Sequence, residues 1–405
     1  MRKPTLILLL SILMIACGQK REQKQNRNDN TAVKDSLTFK IEKIKEQGNI
    51  VGFSVAMVDT IGILYNEGFG LADAESQNEY TTETIQYVAS ISKTLIGVSL
   101  FKAQEMGKLN LDDPINKYLP FEVVNPNFPD VPITIRQLAI HTSSITDSDT
   151  FWENDYFLLE NEHSKNTGIP KYFNKPKNKI PLSEFLQEVL AKNGTLNDGD
   201  NFSAHKPNQK FDYSNVGSSL CALIIENATG TPYQSFTKTY ILEPLQMNAS
   251  GWTIEEVNSK NRATLYVTNE QIMADYTTVG FPAGGLITSS GDLGKFLSEI
   301  IQGYAGKGTI LNKTSYTELF KKQLNKSQLP EGADANIGIF MDYSKRGIGY
   351  NGYDPGLMAY MYFNPETLIG KVVIINTDTD FDEKVRPTLD SIYELLGQYE
   401  DKFNF

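Results

Sequence analysis

Cysteine, histidine and tryptophan are scarce in this chain of 405 residues, which carries two, three and two of them. A disulfide framework needs paired cysteines, and Cys17 and Cys221 stand far apart. Cys221 lies within the apolar run from Ser218 to Ile225, where it reads as a buried helical residue. His141, His163 and His205 are dispersed, with no Cys/His clustering, so neither a zinc site of ordinary spacing nor any other cofactor is expected. Positive charge is also short: 38 Lys and Arg against 49 Asp and Glu leave a formal net charge of −11, which argues against nucleic acid as a partner. No apolar run approaches the ~20 residues that span a bilayer. Internal repeats are absent, and nothing in the sequence fixes an oligomeric state.

The N-terminus is what the chain has instead. Arg2 and Lys3 precede an apolar run from Leu6 to Ile15 that ends in Ala16-Cys17, the layout of an export signal. Small Ala16 directly before Cys17 is similar to a bacterial lipoprotein processing site, although Met14 stands where leucine is more usual. The expectation is a signal peptide over 1–16 and a lipidated Cys17, whose thiol is then lost to any disulfide. Residues 17–36 are expected to form a flexible tether, since Gly18 to Ser36 hold only Ala32 and Val33 as clearly apolar side chains. Such a protein sits in the bacterial cell envelope, on the periplasmic side of the outer membrane or at the cell surface, and touches the membrane through its lipid only. Residues 37–405 then form one domain with a large core, consistent with a hydrophobic content of 40%.

Along that domain, Ile50–Val58 and Ile63–Gly70 read as a hairpin joined at Asp59-Thr-Ile-Gly62. A helix is expected from Ser90 to about Gly107, and another entered at Thr134. Between Asp147 and Asn208 the composition shifts to aromatic, proline and lysine residues, which fits either a lid over a cleft or a packed surface subdomain. Strands are expected at Asn336–Tyr343, Gly347–Gly352, Leu357–Phe363 and Ile369–Asn376, with a closing helix from about Asp382 to Tyr399. Strands at both ends with helices between predict an α+β fold: one antiparallel sheet of N- and C-terminal strands, flanked by helices, with a mainly helical and loop region inserted at about 108–280.

The chemistry concentrates at Tyr87-Val-Ala-Ser-Ile-Ser-Lys-Thr-Leu-Ile96. Ser90 falls at a helix N-terminus and Lys93 follows at i+3 on the same face. Unpaired N–H groups there favour an oxyanion, and a desolvated amine can serve as base, so the pair implies acyl transfer through a serine ester. The same spacing recurs at Ser99/Lys102, Ser203/Lys206 and Ser235/Lys238, so context must choose among them. Downstream, Phe211-Asp-Tyr-Ser-Asn-Val-Gly217 places Tyr213 and Asn215 just before an apolar helix; Tyr172/Asn174 and Tyr362/Asn364 match the bare pattern too. A phenol beside an amine can exchange a proton, and an asparagine offers donor and acceptor to an amide or ester.

Six segments in order resemble the serine β-lactamase-like family of class C β-lactamases, D-alanyl-D-alanine carboxypeptidases, D-amino-acid peptidases and esterases. They are Val88–Lys93, Gly107–Leu119, Ile133–Ser143, Phe211–Asn215, Pro282–Leu286 with Asp292, and Gly349–Gly356, and the resemblance runs from about Lys43 to Leu396. It implies a β-lactamase/transpeptidase-like fold, Ser90 as nucleophile, Lys93 and Tyr213 as the proton-transfer pair, and Asn215 as a substrate-binding residue. It also implies an oxyanion hole from the backbone N–H groups of Ser90 and Tyr353.

The chain departs from that family at two places. Where Lys or His, any residue, then Gly is usual, it reads Tyr350-Asn351-Gly352, and where His-Thr-Ser-Gly is common it reads His141-Thr-Ser-Ser144. His141 is therefore read as a structural hydrogen-bonding residue. Tyr350 and Gly352 are expected at the substrate, with a phenol in place of a group that helps hold a carboxylate; Lys206, Lys210 or Arg346 are the cations that could substitute for it. The leading expectation is a serine hydrolase acting on an ester, amide or peptide, with esterase or peptidase favoured over β-lactamase. The competing reading is a non-catalytic binding or scaffolding protein on the same fold.

Overall fold

The computed structural model describes residues 30–160, 166–329 and 336–403. The expected signal peptide, Cys17 and the tether up to residue 29 lie outside the described residues, as does His163.

The chain runs through helix α1 (Thr31–Lys45), strands β1 (Gly52–Val58) and β2 (Ile63–Asp73), and the short β3 (Asn78–Glu79). The main helices of the middle are α2 (Ser92–Glu105), α3 (Ile135–Ala139), α4 (Asn215–Thr229) and α5 (Ser290–Tyr304). Then come β4 (Asn336–Ile337), β5 (Asp342–Ser344), β6 (Gly347–Asp354), β7 (Leu357–Phe363), β8 (Gly370–Ile375) and α6 (Val385–Gly397). The expected sheet is present: eight antiparallel strands in the order β4-β5-β6-β7-β8-β1-β2-β3. Its centre is the pairing of the first strand with the last, Val55 opposite Val373, which in turn faces Tyr360.

Both faces of the central strands are buried, and side chains alternate between them. Phe53, Val55 and Met57 of β1, with Met358, Tyr360 and Tyr362 of β7, pack under α1 and α6. Ala56 and Val58, with Ala359, Met361 and Phe363, face the helical side. Helix α6 covers its face with Val385, Leu389, Ile392 and Leu396, a 3.6-residue stripe.

Two expectations are corrected here. The stretch 31–36, read as tether, is the first part of α1, and Val33 packs against the same cluster as Leu37 and Ile41. A lone apolar residue in a polar window disappears from a composition average, yet it continues the i, i+4 stripe Val33, Leu37, Ile41. The strand expected over Asn336–Tyr343 is broken into β4 and β5. Ile339, Phe340 and Met341 all enter the helical-side core, which three consecutive residues of a flat strand cannot do. Phe340 turns the chain at φ +50, and its N–H bonds Ala139 O at 3.1 Å.

The region from 108 to 280 is mainly helix and loop, with short strands at Tyr156–Leu158, Thr167–Gly168, Tyr266–Thr268, Gln271–Met273 and Tyr276–Thr278 that the sequence reading lacked. The aromatic segment after Asp147 is packed: Phe151 and Phe185 are in the helical-side core, and Tyr156 and Phe173 lie in a third cluster with Tyr276. Among the described residues no helix is long and apolar enough to cross a membrane.

Leu37 and Phe39 test how α1 packs on the sheet, since Leu37 is fully buried and Phe39 is 64% exposed. Leu37→Ala should lower the urea-unfolding free energy by about 2–4 kcal/mol, and Phe39→Ala by less than about 0.5 kcal/mol. Equal small effects would show that α1 does not pack on the sheet through this stripe.

Candidate active site

Ser90 sits on a 3₁₀ turn, Ala89–Ile91, that leads directly into α2. The turn is strained, because Ala89 holds φ +46, a region most side chains avoid. Neighbouring backbone holds it there. Val88 N–H bonds Leu286 O at 3.1 Å, and Ser92 Oγ donates to Ala89 O at 2.7 Å while accepting Leu286 N–H at 3.1 Å. On the other side β6 lies flat against residues 88–90. A Cβ at Gly352 would stand 2.1 Å from Val88 O and 3.0 Å from Ser90 N, so only glycine lets strand and nucleophile approach this closely.

Lys93 is fully buried, and its ammonium end has three neighbours from three elements. Nζ is 3.1 Å from Ser90 Oγ, 2.6 Å from Asn215 Oδ1 and 2.7 Å from Ala283 O. Burial pulls its pKa down to about 7, against the upward pull of Asp147, Asp354 and Asp155. Asn215 is the first residue of α4, and its amide is fixed by Asp147. That carboxylate accepts from Asn215 Nδ2 at 2.8 Å, Asn215 N at 2.9 Å, Val216 N at 3.0 Å and Ser214 Oγ at 3.1 Å. It therefore satisfies open N–H groups of the helix end and, by holding Nδ2, turns Oδ1 toward Lys93.

Tyr213 donates its hydroxyl to Ser90 Oγ at 2.8 Å. Burial of the hydroxyl end raises its pKa above the usual phenol value, while 40% of the residue's surface is exposed. Its ring is 4.6 Å from the ring of His141, which is enclosed by Phe211 and Phe340 as well. Burial lowers the His141 pKa to about 3, with Lys93 adding to the effect, so the ring is neutral. Its Nδ1 accepts Ser214 N–H at 3.2 Å and its Nε2 lies 3.3 Å from Tyr350 Oη. The structural role expected for His141 is what the geometry shows. Ser144, standing where glycine is common, adopts φ +65, and Asn125 Nδ2 donates to its Oγ at 2.8 Å.

Ser90, Tyr213, Asn215, Tyr350 and Tyr353 line one open cleft of about 630 Å³ together with Asp147, Trp152, Asp212 and Asp342. A smaller recess beside Ser90 adds Asp155, Tyr156 and Asp354. Burial raises both Asp155 and Asp354 to about 7, and Tyr156 donates to Asp354 Oδ1 at 2.5 Å. Among the described residues, no lysine or arginine is in the lining of either. Arg346, one of the cations expected to reach the site, instead pairs with Asp390 of α6 at 2.9 Å; Lys206 and Lys210 do not line the cleft either. The rival Ser-x-x-Lys pairs do not line the cleft, Lys102 being bonded to Ile310 O, and Tyr362 lies behind the cleft residue Asn351, donating to its Oδ1. Among the described residues no three His, Cys, Asp or Glu side chains converge to hold a metal ion.

Residues 38–394 match the family described as Beta-lactamase. The chain belongs to the Beta-lactamase family. The antiparallel sheet with flanking helices is the β-lactamase/transpeptidase-like fold of that family. The chain is 25% identical to "Protein flp" of Staphylococcus aureus (strain MW2) over 403 residues, covering 93% of this chain and 71% of that protein. Among solved structures, it is similar to the octameric penicillin-binding protein homologue from Pyrococcus abyssi, with TM-score 0.66, 24% identity, and 90% and 77% of the two chains covered. It is also similar to EstCE1, described as a hydrolase with promiscuous acyltransferase activity, with TM-score 0.66, 16% identity, and 90% and 100% covered.

Against this Beta-lactamase background, the structure brings Ser90, Lys93, Tyr213 and Asn215 together and sets Tyr350, Gly352 and Tyr353 along β6 beside them. It adds Asp147, Asp155 and Asp354, which the sequence reading did not assign. Their partners stand 68, 125 and 198 residues away, at Asn215, Gly280 and Tyr156, so no local pattern could flag them. Gly352→Ala should separate β6 from the 88–90 turn. The expected result is a loss of about 1–3 kcal/mol in thermal or urea unfolding, as for overpacking elsewhere, with Ser90 losing reactivity toward a fluorophosphonate; unchanged reactivity would show that the close approach is not needed.

Proposed function

We propose that this protein is a serine acyl hydrolase that forms an ester on Ser90 and releases it to water. One observation carries the reading: Ser90 Oγ lies between a buried amine at 3.1 Å and a phenol at 2.8 Å. With a pKa of about 7, a substantial fraction of Lys93 is neutral at physiological pH, and a neutral amine has a lone pair to take the serine proton. Oγ then adds to the substrate carbonyl. The developing oxyanion is assigned to the backbone N–H groups of Ser90 and Tyr353, a reading supported by the close approach of β6 to residues 88–90 at Gly352, the residue before Tyr353. Collapse expels the alcohol or amine, which takes the Tyr213 proton, and the Lys93 ammonium restores that proton to Tyr213. Water repeats the sequence on the acyl-enzyme.

Esters, amides or peptides that need no carboxylate clamp are the proposed substrates. Asp147, Asp212 and Asp342 line the cleft, and apart from Lys93 buried behind Ser90 no lysine or arginine among the described residues stands at its lining, so a penicillin-like carboxylate meets like charge. The protein acts in the cell envelope, held by a lipid on Cys17, with residues 1–16 removed.

Intact-mass analysis after exposure to a fluorophosphonate tests the activity, on the protein produced without residues 1–17. One adduct on the wild type and none on Ser90→Ala is expected. No adduct on folded wild type would leave the non-catalytic binding reading.

The pH dependence carries its own sign. Protonated Lys93 has no lone pair, so the acylation rate should climb as pH rises through about 7 and level off above it. Asp354→Asn removes a negative neighbour that holds the amine's pKa up, so the inflection should move to lower pH. Loss of the inflection in that variant would assign it to Asp354 instead.

A further inference from the structure

The lysine-rich loop at residues 169–179 takes no part in the site described above. From 166 to 183 the chain holds Lys171, Lys175, Lys177 and Lys179 and no aspartate or glutamate, within a sequence of formal charge −11. All four lysines are exposed, and among the described residues Lys171, Lys175 and Lys177 pair with no carboxylate. Beside them stand two large apolar side chains left open to water, Ile169 at 47% and Tyr172 at 37% exposure. The loop that carries these groups is pinned. Phe173 is buried, with its ring stacked on Tyr156 at 5.4 Å. Asn174 ties the backbone to the neighbouring strand: its N–H bonds Tyr156 O at 2.8 Å, its O accepts Leu158 N–H at 2.9 Å, and its Nδ2 donates to Glu153 O at 2.6 Å. At the far end Lys179 Nζ donates to Thr277 Oγ1 at 3.1 Å. Pro170 and Pro176 fix φ along the way. A backbone already held in place loses little freedom when its side chains engage a partner.

We propose that residues 169–179 form a docking surface for an anionic lipid bilayer: Lys171, Lys175 and Lys177 meet the lipid phosphates, and Ile169 with the ring of Tyr172 enters the headgroup layer. A lysine close to an anionic surface contributes roughly fivefold in affinity, and aromatic and aliphatic side chains interleaved with it add their transfer out of water. The chain as a whole is acidic and is repelled by such a surface, so attraction confined to one loop fixes the orientation of the docked protein as well as its binding. Tyr172 meets Tyr156 edge to face at 5.2 Å, and Tyr156 lines the recess beside Ser90, so the bilayer is held on the side of the molecule that carries this recess. A free polyanion would meet the same lysines but would gain nothing from Ile169 and Tyr172, which is why a bilayer is the better match. No residue of the loop lines the cleft or the recess, so the docking stands apart from the hydrolase reading.

Vesicle co-sedimentation tests the docking, on the protein produced without residues 1–17 so that no lipid anchor contributes. Vesicles of phosphatidylcholine alone are compared with vesicles rich in phosphatidylglycerol, at low salt. The expected result is binding to the phosphatidylglycerol vesicles only, weakening as salt is added. Lys171→Gln, Lys175→Gln and Lys177→Gln together should weaken it at least about thirtyfold, and Ile169→Ser at least about threefold. Lys108→Gln, Lys307→Gln and Lys384→Gln together make the same change of charge at other exposed positions and should weaken it less than about fivefold. All of these side chains are exposed, and thermal unfolding of each variant confirms that it is folded. No binding of wild type to the phosphatidylglycerol vesicles, or an equal loss in the two triple variants, would overturn the docking. Inorganic polyphosphate bound as tightly as the vesicles, with Ile169→Ser changing neither, would assign the loop to soluble polyanions and overturn the bilayer as its partner.

Discussion

A lysine amine sunk beneath the protein surface with no carboxylate in contact is expensive to keep charged, and Lys93 is held in that condition. The rest of the site is arranged around it. Its acceptors come from the start of α4, from the turn at Ala283 and from Ser90, so three distant parts of the chain must meet at one nitrogen. Aspartates stand near enough to temper the desolvation but do not touch the amine. A direct ion pair would keep Lys93 protonated, and a fully apolar pocket would push its pKa lower still; the observed balance falls near neutrality, where an amine is most useful as a base.

Holding the serine in place draws on the sheet. Strand β6 is paired with β7 along its whole length but with β5 only from Gly347 to Gly349, so its later half has one side free for the 88–90 turn. Gly352 permits the contact, and the strain at Ala89 is held by bonds to Leu286 on one side and by this strand on the other. The burial of both sheet faces supplies the rigidity, with α1 and α6 closing the face opposite the site.

The replacement of a cation by Tyr350 looks from the sequence like a loss. In the structure its hydroxyl lies 3.3 Å from Nε2 of the buried His141, and the cleft around it is acidic. Both features underlie the proposal of substrates that bring no negative charge. Buried Asp155 and Asp354, each raised to about 7, stand beside the nucleophile, so the recess gains negative charge in the same pH range in which Lys93 loses its proton.

The family, the hairpin, α2 with its serine and lysine, and the Tyr213–Asn215 segment at the head of α4 were all legible in the sequence. Each of these is written in neighbouring residues, through helical or alternating periodicity or a short motif. Local pattern misread residues 31–36, because one valine on a helical stripe does not alter a composition average, and it read 336–343 as continuous strand, because alternation cannot reveal that Ile339, Phe340 and Met341 are all drawn into one core. Only the tertiary structure decided which Ser-x-x-Lys pair is embedded, what Asp147 holds, and that Tyr350 meets His141 rather than standing free in the cleft. Those facts depend on contacts between residues tens to hundreds of positions apart, and on how far each group is removed from water, which no local pattern encodes.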